Sequence, residues 1–225
     1  MHTTARLYAK KFFDTYIGGR SAKVADIGAQ DVNGSLRDVV QPNVEYVGID
    51  FDEGSGVDIV LDDPYQLPFD DNSLDAVVSS SCFEHAEFFW LLFLEILRVL
   101  RPDGLFYLSV PSNGVFHRYP VDCWRFYPDS GVALANWGRR SGYDPALLES
   151  FVASQQRDFW NDFVAIIVKD KAFATHYPDR IVRGIDSFTN GLSYPDLDKF
   201  INQTELPEDV KNRYFKRLKY RLFPD

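Results

Sequence analysis

A glycine and a carboxylate near the start of the chain are spaced for binding a nucleoside. The stretch VADIGAQDVNG, residues 24–34, places Gly28 after a buried-strand pattern, and Asp50 ends the next such pattern in YVGID. Glycine turns without a Cβ clash, so a ligand can lie against main-chain N–H groups, and a carboxylate on the adjoining strand can accept both ribose hydroxyls. The pattern predicts a strand, a tight turn, a helix start and a second strand, and it indicates a cofactor that contains adenosine.

The residues in the turn favour one class of adenosine cofactor over another. A dinucleotide site needs G-x-G-x-x-G so that the pyrophosphate can approach the helix N-terminus, but here Gln30 and Asn33 stand at the second and third glycine positions. Asp26 and Asp31 bring negative charge to the mouth, which repels a pyrophosphate and attracts an ammonium and a sulfonium. S-adenosylmethionine is therefore favoured over NAD.

At these residues the chain resembles the class I S-adenosylmethionine-dependent methyltransferase family, in its branch of small enzymes that act on small molecules and glycans. The likeness extends over about residues 24–169. The first strand of that family carries D/E-x-G-x-G-x-G, and Gln30 replaces its middle glycine here. The resemblance implies S-adenosyl-L-methionine as cofactor, held at this turn by Asp26, Gly28, Ala29, Gln30 and a displaced Gly34.

Further family features follow in the same order along the chain. Asp50 stands where the family's ribose-binding acid lies, with Phe51 beside it against the adenine. Matching by the L-P-F turn at residues 67–69 assigns the adenine amino group to Asp63, with Asp62 as its neighbour and rival. The resemblance also implies that the end of the fourth strand faces the methionine part of the donor through Ser80 and Ser81.

A second group of polar and aromatic residues follows the fifth predicted strand, in HRYPVDCWRFYP, residues 117–128. A similar run occurs in methyltransferases of glycan and polysaccharide pathways, which suggests a hydroxylated acceptor. A neutral hydroxyl is a poor nucleophile, so O-methylation gains from a general base. His117 is the first candidate, because its unperturbed pKa lies near working pH, and Asp122 either orients it or acts as the base itself. His85 is a second candidate base.

These assignments have structural alternatives. Asp26 and Asp50 could only cap turns, although their order around Gly28 favours the cofactor. His117 could equally hold a loop, and Arg125 is better explained as an ion-pair partner of Asp122 than as a substrate clamp. The two cysteines are expected to be small buried residues. The aromatic residues of the second group are more often core than acceptor platform.

Alternating patterns predict an α/β fold with a Rossmann-like, seven-stranded, mostly parallel sheet and helices on both faces. Helices are predicted at residues 5–17 and 88–100. Residues 1–170 are predicted to form the methyltransferase domain, and residues 171–225 a helical C-terminal extension packed on it. Val210, Tyr214, Leu218 and Leu222 predict a basic amphipathic terminal helix. The strands are predicted at residues 23–27, 45–49, 58–60, 75–79, 105–110, 146–153 and 159–169.

Composition limits the partners and the location. The chain has 225 residues, 45% of them apolar, and a formal net charge of −9, which argues against a nucleic-acid partner because phosphate binding needs clustered Lys and Arg. Two cysteines without C-x-x-C spacing indicate neither a disulfide framework nor zinc, and no metal is expected. No signal peptide or bilayer-spanning run is recognised, so we expect a cytoplasmic protein without stable membrane insertion. Homo-oligomer formation is left open.

These patterns together predict a methyltransferase that moves a methyl group from S-adenosylmethionine to a small hydroxylated acceptor such as a sugar or glycan precursor. Two alternatives remain open at this point. A nicotinamide-dependent oxidoreductase or epimerase would share the start of the fold, and a non-catalytic binding subunit with a methyltransferase fold would explain Gln30. The acceptor is expected to approach the segment 112–127.

Overall fold

A nine-stranded mixed sheet forms the centre of the protein, in the order β3-β2-β1-β4-β5-β7-β6-β8-β9. The computed structural model describes residues 3–156, 159–208 and 210. The strands are β1 (Ala22–Ile27), β2 (Val44–Asp50), β3 (Ile59–Val60), β4 (Leu74–Ser80), β5 (Leu100–Pro111), β6 (Ala146–Ala153), β7 (Asp162–Val168), β8 (Phe188–Ser193) and β9 (Asp196–Ile201).

The sheet has a parallel half and an antiparallel half. Strands β1 to β5 pair in parallel, whereas β7 inserts antiparallel between β5 and β6, and β8 and β9 continue antiparallel beyond β6. Strand β7 is thus antiparallel to both of its neighbours. The prediction of a mostly parallel sheet is wrong, because only the first five strands pair in parallel. The carboxyl ends of β1, β2 and β4 lie at one edge, where ligands bind in such sheets.

Helices cover both faces of the sheet, as predicted. The helices are α1 (Thr3–Phe12), which continues as a π-helical turn over Phe13–Ile17, α2 (Phe89–Val99) and α3 (Ser130–Arg140). Strand residues alternate between two cores, since Val24 and Tyr107 pack with α1 while Ala25 and Phe106 pack with α2 and α3. Within the described ranges, no helix is long and apolar enough to cross a bilayer.

The segment after β1 corrects one prediction. The helix expected to start beyond Gly28 is replaced by an irregular loop and a single 3-10 turn, Leu36–Val39. The Asp31 carboxylate accepts a hydrogen bond of 2.6 Å from the Gly34 N–H, and Gly34 has a φ of 113°. A side chain that bonds the nearby backbone competes with the helix ladder, so this local turn prevents an α-helix.

The C-terminal part corrects two further predictions. Residues 171–225 are predicted to be helical, but their described part forms 3-10 turns at Lys171–His176 and Ile181–Gly184 and then the hairpin β8–β9. This hairpin raises the number of described strands in the sheet from the predicted seven to nine. Pairing with β8 covers the edge that β6 would otherwise expose. The side chains of Phe188 and Leu192 on β8 are buried, which stabilises the hairpin. Beyond Val210 the predicted terminal helix lies outside the described residues. The boundary at residue 170 stays a prediction.

The packing of α1 on the sheet can be tested by truncating one side chain on each of its faces. Phe12 is fully buried and its ring lies 5.0 Å from that of Tyr107 on β5, whereas Leu7 on the same helix is 39% exposed. Phe12→Ala should lower the free energy of unfolding by about 3–5 kcal/mol, and Leu7→Ala by well under about 1 kcal/mol. Urea denaturation measures both, and equal losses would contradict this packing.

Candidate active site

A crevice opens at the carboxyl ends of β1, β2 and β4. It has two adjoining lobes that share Gly28, Asp50, Phe51, Cys82 and His85. The first, here called the Asp26 lobe, has a volume of about 280 Å³ and is also lined by Asp26, Ala29, Gln30, Gly34, Ser80, Ser81, His117 and Tyr119. The second, here called the Leu61 lobe, has a volume of about 210 Å³ and is also lined by Ile27, Leu61, Pro64, Tyr65, Leu92 and Val121.

Gly28 forms the floor shared by the two lobes. Its φ is 81°, and a Cβ added there would lie 2.5 Å from Cβ of Cys82, a residue that follows β4. The N–H groups of Gly28 and Ala29 both donate to the carbonyl oxygen of Ile49 at 3.0 Å. Both the backbone conformation and the lack of space therefore require glycine, and this tight turn keeps the crevice open.

Asp50 ends β2 at the junction of the lobes and is 9% exposed. Its Oδ2 accepts from the Gln30 N–H at 3.0 Å and its Oδ1 from the Phe51 N–H at 2.8 Å. A carboxylate has about four acceptor sites, so each oxygen retains capacity toward the crevice. These bonds fix the orientation of the carboxylate that the sequence assigned to a ribose.

Asp26 lies below the Asp26 lobe and is almost fully buried. Burial raises the pKa of its carboxyl to about 7, against a hydrogen bond from the Tyr46 hydroxyl that lowers it. Oδ1 of Asp26 and Oγ of Ser80 are buried without a hydrogen-bond partner among the described residues. The lobe therefore offers unpaired oxygen acceptors, which suit a cationic or hydrogen-bond-donating group.

Gln30, the residue that replaces the family's middle glycine, connects three loops across the mouth. Its Oε1 accepts from the Tyr119 hydroxyl at 2.8 Å, and its Nε2 donates to the carbonyl of Glu53 at 3.1 Å. A Cβ on Gly54 would lie 2.5 Å from this Nε2. The side chain therefore ties the β1 turn to the segment 117–128 and narrows the opening.

The predicted adenine contacts are only partly brought together. Phe51 lines both lobes and is 45% exposed, which leaves its ring available to a planar ligand. Asp62 and Asp63 are exposed and line neither lobe, although they stand between the lining residues Leu61 and Pro64. Asp63 Oδ1 accepts from the Tyr65 N–H at 2.9 Å, so this acid stabilises its own turn at the rim.

His117 and Asp122 are joined to Arg125 in one network. Nη1 and Nη2 of Arg125 donate to the two Asp122 oxygens at 2.5 and 2.9 Å, which is the ion pair that the sequence indicated. The Asp122 carboxylate also accepts from the His117 N–H at 2.7 Å. Hydrogen bonds from Arg125 lower the pKa of Asp122 to about 2, so this carboxylate orients its neighbours better than it accepts a proton.

His85 lies beside His117, with ring centroids 5.0 Å apart. Its Nδ1 faces the carbonyl oxygen of Val121, and burial lowers the pKa of the ring. Nε2 lies 3.7 Å from Oε1 of Glu84, which is 1% exposed and whose pKa burial raises to about 8. A neutral His85 with Nδ1 protonated is the tautomer that these neighbours favour.

Sequence reasoning missed several residues that line or support the crevice. Tyr119 lies in the quoted run of residues 117–128 and Glu84 stands next to His85, but neither was assigned a role. Tyr46 could not be found because its contact with Asp26 is made across two strands. The expectation that both cysteines are buried is wrong, because Cys123 is exposed and Cys82 is only partly buried.

Residues 20–108 match the protein family described as a methyltransferase domain. A curated relative, the phthiotriol/phenolphthiotriol dimycocerosates methyltransferase of Mycobacterium tuberculosis, is 30% identical over 131 residues, which are 52% of this chain and 47% of the relative. An uncharacterized methyltransferase of Mycobacteroides abscessus is 37% identical over 81 residues, which are 35% of this chain and 30% of that protein. The chain thus spans about half or less of the length of these relatives.

Solved structures share the fold at lower identity. The 1,6-didemethyltoxoflavin-N1-methyltransferase of Burkholderia thailandensis, bound to S-adenosylhomocysteine, superposes with a TM-score of 0.57 and 18% identity, over 74% of this chain and 79% of that one. The [4+2]-cyclase SpnF superposes with a TM-score of 0.52 and 15% identity, over 73% of this chain and 81% of that one. The fold is therefore that of class I methyltransferases, and proteins of different activity share it.

The fit of Gly28 against Cys82 predicts a specific loss in one glycine variant. Gly28→Ala must adopt a positive φ and also place its methyl 2.5 Å from Cys82, whereas Gly18→Ala meets a φ of 58° with no atom within 4 Å. Gly18→Ala should cost about 1–2 kcal/mol of unfolding free energy, and Gly28→Ala clearly more. Denaturant titration compares them, and equal losses would show that the contact with Cys82 is unimportant.

Burial of Asp26 predicts a pH-dependent stability. The native state keeps the Asp26 proton up to a pKa of about 7, whereas the unfolded chain loses it near pH 4. The free energy of unfolding contributed by this group therefore falls as pH rises from about 4 to about 7. Urea unfolding at pH 5 and pH 7.5 should show a smaller decline in Asp26→Asn, while the exposed control Asp52→Asn should behave like the native protein.

Proposed function

We propose that this chain, which carries a class I methyltransferase domain, binds S-adenosylmethionine in the two-lobed crevice and transfers its methyl group to a hydroxyl of a small acceptor. The observation that carries the proposal is the position of Asp50 at the junction of the lobes, above a turn that only glycine fits. A donor with adenosine at one end and an amino acid at the other needs two adjoining compartments joined at the ribose.

The crevice fits the donor from end to end. The Leu61 lobe offers apolar side chains and the rings of Phe51 and Tyr65 to an adenine. Asp50 has acceptor capacity for the ribose hydroxyls. The Asp26 lobe has an unpaired carboxylate oxygen on Asp26 and an unpaired hydroxyl on Ser80, which suit the donor's ammonium group and are unfavourable for a pyrophosphate.

The remaining predicted cofactor residues are given supporting roles. Ala29, Gln30 and Gly34 line the Asp26 lobe with Ser81 and enclose the methionine part. Asp62 and Asp63 stand beside the Leu61 lobe, where one of them can bond the adenine amino group after a rotation of its exposed side chain. Gln30 closes the mouth through Tyr119, so binding and release of the donor require this tie to open.

The acceptor reacts where His85 and His117 face the Asp26 lobe. The donor supplies a methyl group activated by its sulfonium, so the protein mainly aligns an acceptor oxygen and excludes water. When only the donor and the acceptor are bound, His117 removes the acceptor proton. Asp122, held by Arg125, fixes the orientation of the His117 ring. His85 is the second candidate for this step, because it also lines the lobe.

The acceptor is proposed to be a hydroxylated molecule with an apolar part. The exposed aromatic side chains of Phe51 and Tyr119 line the Asp26 lobe, and the exposed Val115 and Phe116 directly precede His117 in the chain. Such side chains stack on sugar rings or pack against an apolar body. A sugar or glycan precursor fits this entrance, and the mycobacterial relative is named for a phthiotriol derivative, which makes a hydroxylated lipid the second class to test.

Donor binding is the first test of the proposal. Isothermal calorimetry should show one site for S-adenosylhomocysteine, and Asp50→Ala should weaken it about 10- to 100-fold, since charge-assisted hydrogen bonds are worth about 1.5–3 kcal/mol. The control Asp52→Ala removes the neighbouring exposed acid and should bind normally. An absence of binding to the native protein would end the proposal, and tight binding of NADH instead would favour the oxidoreductase alternative.

Turnover is the second test. Transfer of a labelled methyl group from S-adenosylmethionine should be measured over sugars, nucleotide sugars and hydroxylated lipids, with mass spectrometry of the product to identify the methylated atom. Donor binding without transfer to any of these would favour the non-catalytic alternative or another reaction on this fold, as the cyclase neighbour illustrates.

A further inference from the structure

Three side chains at the edge of the Asp26 lobe bring metal-binding atoms together. A carboxylate oxygen of Glu84 and one ring nitrogen each of His85 and His117 lie within 4.8 Å of one another. The closest pair, Nε2 of His85 and Oε1 of Glu84, is 3.7 Å apart. Two ligand atoms on a tetrahedral ion with bonds of about 2.1 Å are about 3.4 Å apart, so small side-chain rotations bring this cluster to coordination distance.

The buried Glu84 carboxylate is only partly compensated, since a backbone N–H bonds it but one of its oxygens is unpaired. Its side chain is 1% exposed, and Oε2 has no hydrogen-bond partner among the described residues. The 3.7 Å separation from His85 is too long for a hydrogen bond. The guanidinium of Arg125 attracts Glu84 electrostatically, but it donates its hydrogen bonds to Asp122 and to the backbone. A cation between Glu84 and the histidines would supply the missing charge.

Both histidines are oriented as metal-bound histidines usually are. Nδ1 of His85 faces the carbonyl oxygen of Val121, and Nδ1 of His117 lies 3.3 Å from the carbonyl oxygen of Val115 and 3.4 Å from Oδ2 of Asp122. Metal-bound histidines donate their second N–H to a carbonyl or carboxylate in this way. Nε2 of His85 is thereby left as an electron-pair donor, whereas Nδ1 of His117 also lies 3.5 Å from Nη2 of Arg125, a group that can only donate.

We propose that Glu84, His85 and His117 bind a divalent transition-metal ion whose remaining coordination positions face the Asp26 lobe. Two imidazoles and one carboxylate match the preferences of Zn²⁺ and Fe²⁺ better than those of Mg²⁺ or Ca²⁺. Three protein ligands leave a position open for water or substrate, which is typical of reactive metal sites rather than structural ones.

The role of this ion in catalysis, though not its binding, rests on the proposed methyl transfer. An acceptor hydroxyl bound to the ion has a lowered pKa and releases its proton to solvent water. The acceptor oxygen then forms a bond to the methyl carbon as the carbon–sulfur bond breaks, and that electron pair stays on sulfur. His117 is a metal ligand in this state and not the base.

Direct metal binding tests the site. The full-length protein is treated with a chelator, dialysed, and titrated with Zn²⁺ in a calorimeter, and with Co²⁺ while its visible absorption is recorded. We expect one equivalent of each ion to bind and the Co²⁺ spectrum to have the intensity of four- or five-coordinate nitrogen and oxygen ligation. Absence of stoichiometric binding to the native protein overturns the proposal.

Variants identify the ligands. His117→Ala alters a side chain that is 35% exposed, so this variant should fold. Each of the single variants His117→Ala, His85→Ala and Glu84→Gln should weaken Zn²⁺ binding at least 10-fold. The control His176→Ala changes a histidine of the Lys171–His176 turn and should bind normally. Thermal melts verify folding. Unchanged affinity in folded His117→Ala and His85→Ala proteins overturns the proposed ligand set.

The metal site and the proposed function can fail separately. Binding of S-adenosylhomocysteine to the chelator-treated protein reports on the donor site alone. If this protein binds the donor analogue and transfers methyl groups at the same rate with and without Zn²⁺, the metal's proposed role in the reaction is wrong and His117 stays the candidate base. If Zn²⁺ binds through the three residues but the donor analogue does not bind, the proposed function fails and the metal site stands.

Discussion

The close approach of β1 and the segment after β4 is the constraint on which the site depends. Gly28 packs so tightly against Cys82 that a single methyl group would not fit, and its positive φ turns the chain away from the crevice. The neighbouring N–H groups bond the carbonyl of Ile49 on β2. Three strand ends are thus fixed together, and the crevice is the space that this arrangement leaves open.

Charge in the crevice is distributed in a way that distinguishes its two ends. Asp26 is buried with a raised pKa, whereas Asp50 is held by two backbone N–H groups at the junction of the lobes. One oxygen of the Asp26 carboxyl has no hydrogen-bond partner among the described residues, whereas both oxygens of Asp50 accept hydrogen bonds. A ligand that brings positive charge to the Asp26 lobe and hydroxyl groups to Asp50 satisfies both, which explains why the dinucleotide alternative is unfavourable here.

The segment after β5 closes the crevice from the other side. Its conformation is maintained by the Asp122–Arg125 pair and by Tyr119, which bonds Gln30. The side chain of Gln30 therefore has a structural role in this chain, since its amide connects two loops. The segment after β5 also carries His117 to a position beside His85.

Local sequence patterns determined a large part of the secondary structure of this protein. Periodicity predicted the positions of the first seven strands along the chain and the helical stripe of α2. Glycine's freedom at positive φ predicted the Gly28 turn. These features depend on neighbouring residues. The Asp122–Arg125 pair also followed from spacing. The hairpin β8–β9 did not, because β8 is stabilised by pairing with the edge of β6, which local sequence does not reveal.

Only the tertiary structure decided the partners of the polar groups. The contact of Tyr46 with Asp26, the exposure of Asp62 and Asp63, and the unpaired oxygen of Glu84 are set by packing between distant segments. His85 and His117 are separated by 32 positions, and the expectation of no metal came from the spacing of the cysteines alone. A chain fold brings such residues together through strand pairing and loop closure, so the sequence determined which groups are available and the fold determined which of them meet.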